Sequence, residues 1–215
     1  MQVELLTSAS SVADMEKFAA LAALTCRGNA EKEHVPSEVL TRIIKAGHES
    51  VLEHITLTYS VQGISRALLQ ELARHRHISL SVESTRHTLK KSLESPDWVE
   101  QAAGGIGHPV FRASFRASEE LLRAVENVKR FADRYPDMPN DELKYFLPEF
   151  WPTNLILTSN IRELRHILKL RTAPAALKEF RRLGHTLYDA VPEEYRYLLW
   201  DCVYGADCVH EEVKL

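Results

Sequence analysis

The segment from Arg74 to Arg86 concentrates side chains that bind phosphate. It reads RHRHISLSVESTR and contains three arginines, two histidines and three serines. A guanidinium pairs with a phosphate through two parallel N–H bonds, and hydroxyl groups donate further hydrogen bonds to phosphate and sugar oxygens. The formal net charge of the whole chain is −3, so the positive charge of this segment is local.

A second basic group occurs far along the chain, at Arg162, Arg165, His166 and Arg171. Two basic groups in an acidic chain indicate a phosphorylated small molecule as the ligand. A second interpretation stays open, because arginines at a helix C-terminus also complement the helix dipole as solvated surface residues. A nucleic-acid module is disfavoured, since no nucleic-acid-binding motif accompanies the charge and the aromatic content of 8% is not arranged as a stacking platform.

The composition is typical of a globular protein. The 215 residues fit one domain, with 45% hydrophobic and 27% charged residues. No run of about 18 apolar residues predicts a membrane span, and the start MQVELLTSAS lacks the features of a signal peptide, so we expect a cytoplasmic protein. Cys202, Cys208 and His210 match no common zinc spacing, and we therefore expect no metal site.

The hydrophobic pattern predicts helices and short strands. The predicted strands lie at residues 3–6 and 55–61, and the predicted helices at 11–26, between 36 and 47, at 66–76, at 110–135, from 160 onward, and at 174–191. Gly63 is expected to end the second strand, and Ser65 to cap the next helix, whose last turn should reach Arg76. Residues 79–83 then alternate as extended chain, and residues 104–109 are expected to form a loop.

The helix that begins near residue 160 carries part of the second basic group. Asn160 followed by Glu163 three residues later is typical of a helix N-terminus. Arg162 and His166 are four residues apart, so they should lie together on one face of this helix.

Six positions of the basic segment resemble the signature of the flavin-dependent thymidylate synthases. They spell RHRxxSxxxxSxR and are Arg74, His75, Arg76, Ser79, Ser84 and Arg86. GHESVLEH at residues 47–54 is similar to a flavin-contacting segment of that family, and NIRELRHILKLR at 160–171 is similar to its downstream helix. Order and spacing also agree, so the resemblance covers nearly the whole chain.

The resemblance implies a mixed α/β fold, in which helices pack on a small central sheet within a single domain spanning residues 1–215. It implies a homotetramer whose active sites are built from several subunits. It also implies FAD as the cofactor, NADPH and methylenetetrahydrofolate as co-substrates, and the reductive methylation of dUMP to dTMP as the reaction.

The resemblance also assigns site residues position by position. Those matching the flavin site are His48, Ser50, Glu53, Arg74, His75, Arg76, Val82, Asn160, Arg162 and His166. Those matching the dUMP site are Glu71, Arg74, Val82, Glu83, Ser84, Thr85, Arg86, Lys144 and Arg171. Arg86 is the first candidate for the phosphate, with Lys144 and the Ser84–Thr85 backbone beside it.

Three of these residues are the candidates for catalysis. Arg171 matches an arginine that favours ionisation at the imide nitrogen of uracil, where it would stabilise negative charge on the ring. Ser84 is expected to form hydrogen bonds, because no histidine and carboxylate are evident to activate it as a nucleophile. His48 is either a flavin-site or proton-relay residue or an ordinary, partly buried histidine.

Five positions depart from the better-known family pattern. Val82 replaces a glutamate, Ser81 an asparagine, His87 a tyrosine, Lys144 an arginine and Ala175 a histidine. A lysine supplies a point charge without the bidentate fork of an arginine. These departures leave open an alternative function, a nucleotide- and flavin-binding protein of the same fold with impaired catalysis.

Overall fold

A four-stranded sheet runs through the computed structural model, which describes residues 1–95 and 115–205. The strands are β1 (Gln2–Leu5), β2 (Thr56–Ser65), β3 (Ile78–Val82) and β4 (Pro152–Asn160). They lie side by side in the order β1-β2-β4-β3. Strand β4 therefore lies between two strands that precede it in the chain.

Helices account for most of the remaining described residues, which confirms the mixed α/β fold class. The α-helices are α1 (Ala9–Thr25), α2 (Pro36–Lys45), α3 (Arg66–Leu72), α4 (Thr85–Glu94), α5 (Phe115–Arg134), α6 (Asn140–Leu143), α7 (Ile161–Arg171) and α8 (Lys178–Asp189). Short 3₁₀ helices lie at Glu49–His54, Lys144–Phe146, Glu193–Leu198 and Trp200–Cys202. Within the described ranges, no helix combines the length and apolarity needed to cross a bilayer.

The chain divides into two compact units. The first unit contains Met1, Val61–Arg74 and Ser81–Leu155, and the second unit contains Gln2–Ser60, His75–Leu80 and Ile156–Leu215. Strands β2, β3 and β4 each contribute residues to both units. The single domain expected from the sequence stays a prediction.

The core of the first unit lies among α4, α5, α6 and the start of β4. Its buried side chains are Leu89, Leu93, Val125, Val128, Leu143, Phe150 and Trp151. Each fully buried aliphatic or aromatic side chain contributes about 1.5–3 kcal/mol relative to exposure.

The core of the second unit depends on close contact between α7 and α8. Leu164 and Leu168 of α7 and Leu183 of α8 are fully buried. Gly184 permits this contact, because a β-carbon at that position would lie 2.7 Å from the Thr172 side chain. A larger residue at 184 would therefore separate the two helices.

Two predictions about the middle of the chain are wrong. Strand β2 does not end at Gly63 but continues to Ser65, with Gly63 at a φ of +69° and its N–H donated to Asn154 Oδ1 over 3.0 Å. Ser65 caps α3 as predicted, accepting a hydrogen bond from the Leu68 amide. However, α3 ends at Leu72 and does not reach Arg76, because the chain must turn before it enters the sheet as β3.

The other element predictions differ in their details. Helix α8 begins at Lys178 rather than at 174, and the extended chain predicted at 79–83 is strand β3. Strand β4 and helix α4 were not predicted.

The loop expected at 104–109 and the start of the helix expected at 110–135 lie outside the described residues, as do Cys208 and His210. Cys202 is buried, and this burial raises the pKa of its thiol to about 12.

Candidate functional site

A cavity of about 500 Å³ lies in the second unit, along one face of α7. It is lined by Glu49, Glu53, His77, Asn160, Arg162, Glu163, His166 and Lys169. Four of these, Glu53, Asn160, Arg162 and His166, were predicted as flavin-site residues from the sequence. The structure therefore brings residues from two separate segments, 47–54 and 160–171, to one cavity.

Helix α7 holds its polar face towards the cavity. Its N-terminus is fixed by Asn160, whose side chain accepts the Glu163 amide hydrogen at 2.8 Å. Arg162, His166 and Lys169 recur at helical spacing and share one face, as predicted for the first two. The buried residues on the remaining surface of α7 are Ile161, Leu164, Arg165, Ile167 and Leu168.

Arg162 and Glu53 form an ion pair at the cavity. About half of each side chain is exposed, so the pair adds little to stability. Both groups can therefore exchange partners at low cost when a ligand enters the cavity.

Arg165 has a structural role, unlike its neighbours in the second basic group. Its side chain is 1% exposed, and it donates hydrogen bonds to Glu49, to Asp201 and to the carbonyl oxygen of Leu198. Burial alone would raise the pKa of the Asp201 carboxyl, but the bonds from Arg165 hold it below its ordinary value. Arg165 is thus committed to internal partners and does not belong with the phosphate-binding candidates.

A chain of polar contacts joins Glu163, His75 and Arg171. Arg171 Nε donates to His75 Nε2 at 3.1 Å, and His75 Nδ1 lies 3.2 Å from Glu163 Oε1. His75 is 7% exposed, and burial is the main cause that lowers the pKa of its imidazole. The Arg171 guanidinium also lies over the ring of Phe180, with its carbon 4.9 Å from the ring centroid.

In the first unit, the predicted dUMP residues lie around α4. Arg86 pairs with Asp141 through two bonds, of 2.6 and 2.8 Å. The bonds from Arg86 are the main cause that lowers the pKa of the Asp141 carboxyl, and the charges of Lys144 and His87 act in the same direction. Arg86, Lys144 and His87 therefore form a basic group around a single carboxylate.

The residues just before α4 are held by Asn154 of β4. The Asn154 side chain donates to the Glu83 carboxylate at 2.7 Å, and the Glu83 amide donates to the Asn154 carbonyl oxygen at 2.8 Å. Ser84 is the N-cap residue of α4, but its hydroxyl does not cap the helix. The hydrogen-bonding role expected of Ser84 stays a prediction.

The remaining predicted residues lie on the surface or at element ends. Arg74 is exposed and forms an ion pair of 3.9 Å with Glu71. The other exposed residues are His48, Ser50 and Arg76. Val82 ends β3 and is half-buried, and Thr85 begins α4 and is buried.

Four cavity residues were not predicted as part of the site. They are Glu49, His77, Glu163 and Lys169. Glu49 lies within the recognised segment 47–54 and His77 within the basic segment 74–86, and Lys169 follows Arg162 and His166 at helical spacing. Sequence reasoning had explained Glu163 in another way, as part of a helix N-terminus, because it lies three residues after Asn160.

Most of the chain matches a known protein family. The family described as "Thymidylate synthase complementing protein" matches residues 6–195. The flavin-dependent thymidylate synthase of Wolinella succinogenes is 42% identical over 177 residues, covering 80% of this chain and 82% of that protein. The protein of the same name from Campylobacter jejuni (strain RM1221) is 35% identical over 181 residues, covering 83% of this chain and 84% of that protein.

The fold has a counterpart among solved structures. Thymidylate synthase X from Helicobacter pylori, solved with FAD and dUMP, has a TM-score of 0.81 and 32% identity, and the match covers 95% of this chain and 100% of that chain. The fold and the sequence thus place the chain in the class of thymidylate synthase complementing proteins. The chain belongs to the flavin-dependent thymidylate synthase family, a family of enzymes, which confirms the resemblance seen in the sequence.

Proposed function

We propose that the chain is an FAD-dependent enzyme that converts dUMP to dTMP, with methylenetetrahydrofolate as the one-carbon donor and NADPH as the reductant. One observation carries the proposal: Glu53, Asn160, Arg162 and His166 line a single cavity, in which Glu163 also contacts the buried His75. The Helicobacter pylori structure, which contains FAD and dUMP, supports the same two ligands here.

The proposed reaction balances with one two-electron reductant. The methylene carbon bonds to C5 of the uracil ring, which loses a proton, and the carbon is reduced to a methyl group. NADPH and one proton supply the two hydrogens needed for dTMP and tetrahydrofolate. Bound FAD carries the hydride between NADPH and the one-carbon unit, which is chemistry that side chains cannot supply.

The cavity residues fit part of an FAD molecule. The volume of about 500 Å³ falls within the usual range for ligand pockets. Arg162 and Lys169 offer cations, Asn160 and His166 offer N–H donors, and Glu53 offers an acceptor for hydroxyl groups. By family match, His48, Ser50, Arg74, His75, Arg76 and Val82 complete the proposed flavin site.

Arg171 is the proposed catalytic residue at the pyrimidine. A guanidinium beside the uracil ring stabilises negative charge that develops on the ring, which makes C5 more nucleophilic. The contacts of Arg171 with His75 and Phe180 hold it in place before substrate binds. His48 stays a candidate for proton transfer.

The nucleotide phosphate is assigned to the basic group around α4. Arg86 and Lys144 supply charge, and the first amides of α4, from Thr85 onward, supply N–H donors at a helix N-terminus. When the nucleotide binds, its phosphate takes the place of the Asp141 carboxylate as the partner of Arg86 or binds Arg86 beside that carboxylate. The other proposed dUMP contacts are Glu71, Arg74, Val82, Glu83 and Ser84.

Assembly into a homotetramer with shared active sites is proposed from the family resemblance. Light scattering on the purified protein should then give four times the chain mass of 24.5 kDa. A monomer that is active at the same concentration would contradict this part of the proposal.

Flavin binding is the first test of the proposed function. The purified chain should be yellow, or should become so when FAD is supplied and excess flavin is removed. A protein that remains colourless contradicts the proposal. A protein that binds FAD but forms no dTMP supports the catalytically impaired alternative, for which Val82, Ser81 and Lys144 are the suspect positions.

The second test is NADPH-dependent formation of dTMP from dUMP and methylenetetrahydrofolate. Arg171→Ala should lower turnover by about 10²- to 10³-fold, the usual loss for one group that stabilises developing charge, and should leave FAD bound. Arg123→Ala is a matched control, because Arg123 is an exposed arginine of α5 that pairs within its own helix with Glu120. Equal activity in the two variants would contradict the role of Arg171.

A further inference from the structure

We propose that Glu163 and His75 form a relay that fixes the orientation of the Arg171 guanidinium, so that Glu163 is a positioning residue for the methylation of dUMP. This inference rests on the proposed function of Arg171. Glu163 does not match any site position carried over from the family, and its place in the relay follows from contacts within the second unit alone.

The direction of the two hydrogen bonds determines the tautomer of His75. Arginine Nε–H can only donate, so His75 Nε2, 3.1 Å away, must accept through its lone pair. The imidazole proton then lies on Nδ1, and it is donated to Glu163 Oε1 over 3.2 Å. The relay therefore requires a neutral His75 with its proton on Nδ1.

Burial of His75 and Glu163 favours one tautomer of the imidazole over the other. The side chains of His75 and Glu163 are only 5% and 11% exposed, so an unsatisfied donor or acceptor there is costly. Among the residues that the structure describes, the groups that face His75 include Glu163, Arg171, His166 and the ring of Phe180. The carboxylate of Glu163 contacts Nδ1, and it selects the Nδ1–H tautomer.

The backbone fixes the position of the Glu163 carboxylate. Asn160 caps α7 by accepting the Glu163 amide hydrogen at 2.8 Å. In a reciprocal capping box, a glutamate at this position turns back to the amide of the cap residue. Here the carboxylate instead contacts His75, which suits a residue that organises a neighbouring side chain.

The relay acts on the Nε side of the Arg171 guanidinium. The bond to His75 uses the Nε–H, which is one of the five N–H donors of an arginine. The ring of Phe180, 4.9 Å from the guanidinium carbon, restricts the plane of the same group. Together the hydrogen bond and the aromatic ring limit both the direction and the tilt of the Arg171 guanidinium. A donor that is fixed in this way before the reaction stabilises charge that develops in the transition state.

Glu163→Gln is the diagnostic substitution, because it hardly changes the size of the side chain. A glutamine can present either its amide N–H or its oxygen to Nδ1 of His75, so it no longer selects the proton on Nδ1 as a carboxylate does. Where the amide N–H faces Nδ1, the imidazole proton moves to Nε2, and two donors, His75 Nε2–H and Arg171 Nε–H, face each other. The Asn160 cap is kept, because it uses the backbone amide of residue 163.

The tautomer can be measured by ¹⁵N NMR on the FAD-loaded protein with labelled histidine, and the His75 signals can be assigned with His75→Gln. Wild type should show a protonated-type shift at Nδ1 and an unprotonated-type shift at Nε2, and Glu163→Gln should reverse or average the two shifts. A wild-type proton on Nε2 overturns the relay.

Kinetics separates positioning from general structural damage. Glu163→Gln should lower kcat about 10- to 100-fold, the usual effect of losing a hydrogen bond to a charged group, with a smaller change in the KM for dUMP. Glu120→Gln, an exposed glutamate of α5, is the matched control and should retain wild-type kcat. In an Arg171→Lys background the effect of Glu163→Gln should shrink, because the two residues act as one unit.

The two kinds of failure are distinguishable. A protein that forms no dTMP but shows the Nδ1–H tautomer contradicts the proposed function and keeps the relay geometry. A protein that forms dTMP with the proton of His75 on Nε2 keeps the function and overturns the relay. Unchanged kcat in Glu163→Gln also overturns the positioning role.

Discussion

Two arginines of the second basic group, Arg165 and Arg171, could not be told apart in the sequence but have different roles in this structure. Arg165 is buried against the carboxylates of Glu49 and Asp201 and a carbonyl oxygen, whereas the contacts of Arg171 include the imidazole of His75 and the ring of Phe180. Sequence reasoning placed both in one basic group, because residue type alone does not reveal whether the carboxylates needed to bury an arginine are nearby. Glu49 and Asp201, which decide the role of Arg165, lie far from it in the sequence.

Arg165→Met should destabilise the protein by about 3 kcal/mol, because it leaves Glu49 and Asp201 without their buried cation. Urea denaturation followed by circular dichroism measures the change. The control is Arg162→Met, which removes an exposed ion pair and should cost less than about 1 kcal/mol. Similar losses in the two variants would show that Arg165 is not a structural residue.

Arg86→Ala should raise the KM for dUMP about 10- to 100-fold, as expected for losing a charge-assisted bond to the phosphate. Arg86→Lys should recover only part of the affinity, because a lysine lacks the bidentate fork. The measurement is the dependence of dTMP formation on dUMP concentration. An unchanged KM in Arg86→Ala would assign the phosphate to other residues.

The buried imidazole of His75 should make stability depend on pH. Its pKa is lowered below the ordinary value of 6.5, mainly by burial, so the unfolded chain binds more protons at mildly acid pH. The contribution of neutral His75 is therefore complete above about pH 6.5 and is lost as the pH falls towards the lower folded pKa. In His75→Gln, the free energy of unfolding should decline less between pH 7 and acid pH, and an identical decline in both proteins would contradict this.

At the scale of elements, the site depends on one helix that was predicted and on one strand that was not. Helix α7 was predicted because its cap residue and apolar stripe are local signals. Strand β4 also has a period of two, with Thr153, Leu155, Leu157 and Ser159 buried. Two of these four residues are polar, so their burial follows only from neighbouring strands and could not be read from hydrophobicity.

The N-terminus of α7 can be tested by changing its cap. Asn160→Ala removes the acceptor for the Glu163 amide and should cost about 1 kcal/mol of stability, while Asn160→Asp retains an acceptor and most of the stability. Because Asn160 also lines the cavity, the alanine variant should bind FAD more weakly. Thermal unfolding and fluorescence titration with FAD measure the two effects. Equal melting temperatures for Asn160→Ala and wild type would show that the cap does not fix this end of the helix.

At the scale of the whole molecule, the family and the fold class were predictable from three short segments. Residues 47–54, 74–86 and 160–171 carry the match, and the comparisons confirm it. The sheet order β1-β2-β4-β3 was not predictable, because it depends on pairing between strands far apart in the chain. The division into two compact units, with three strands contributing to both, also follows from long-range pairing.

The central claim is that a flavin held by this protein reduces the carbon transferred to dUMP. The most direct measurement is a single turnover without oxygen, in which the FAD-loaded protein is first reduced by NADPH and then mixed with dUMP and methylenetetrahydrofolate. The flavin absorbance should return only when both substrates are present, with one dTMP formed for each flavin reoxidised. Formation of dTMP without any change in flavin absorbance, or reoxidation that yields no dTMP, would contradict the claim.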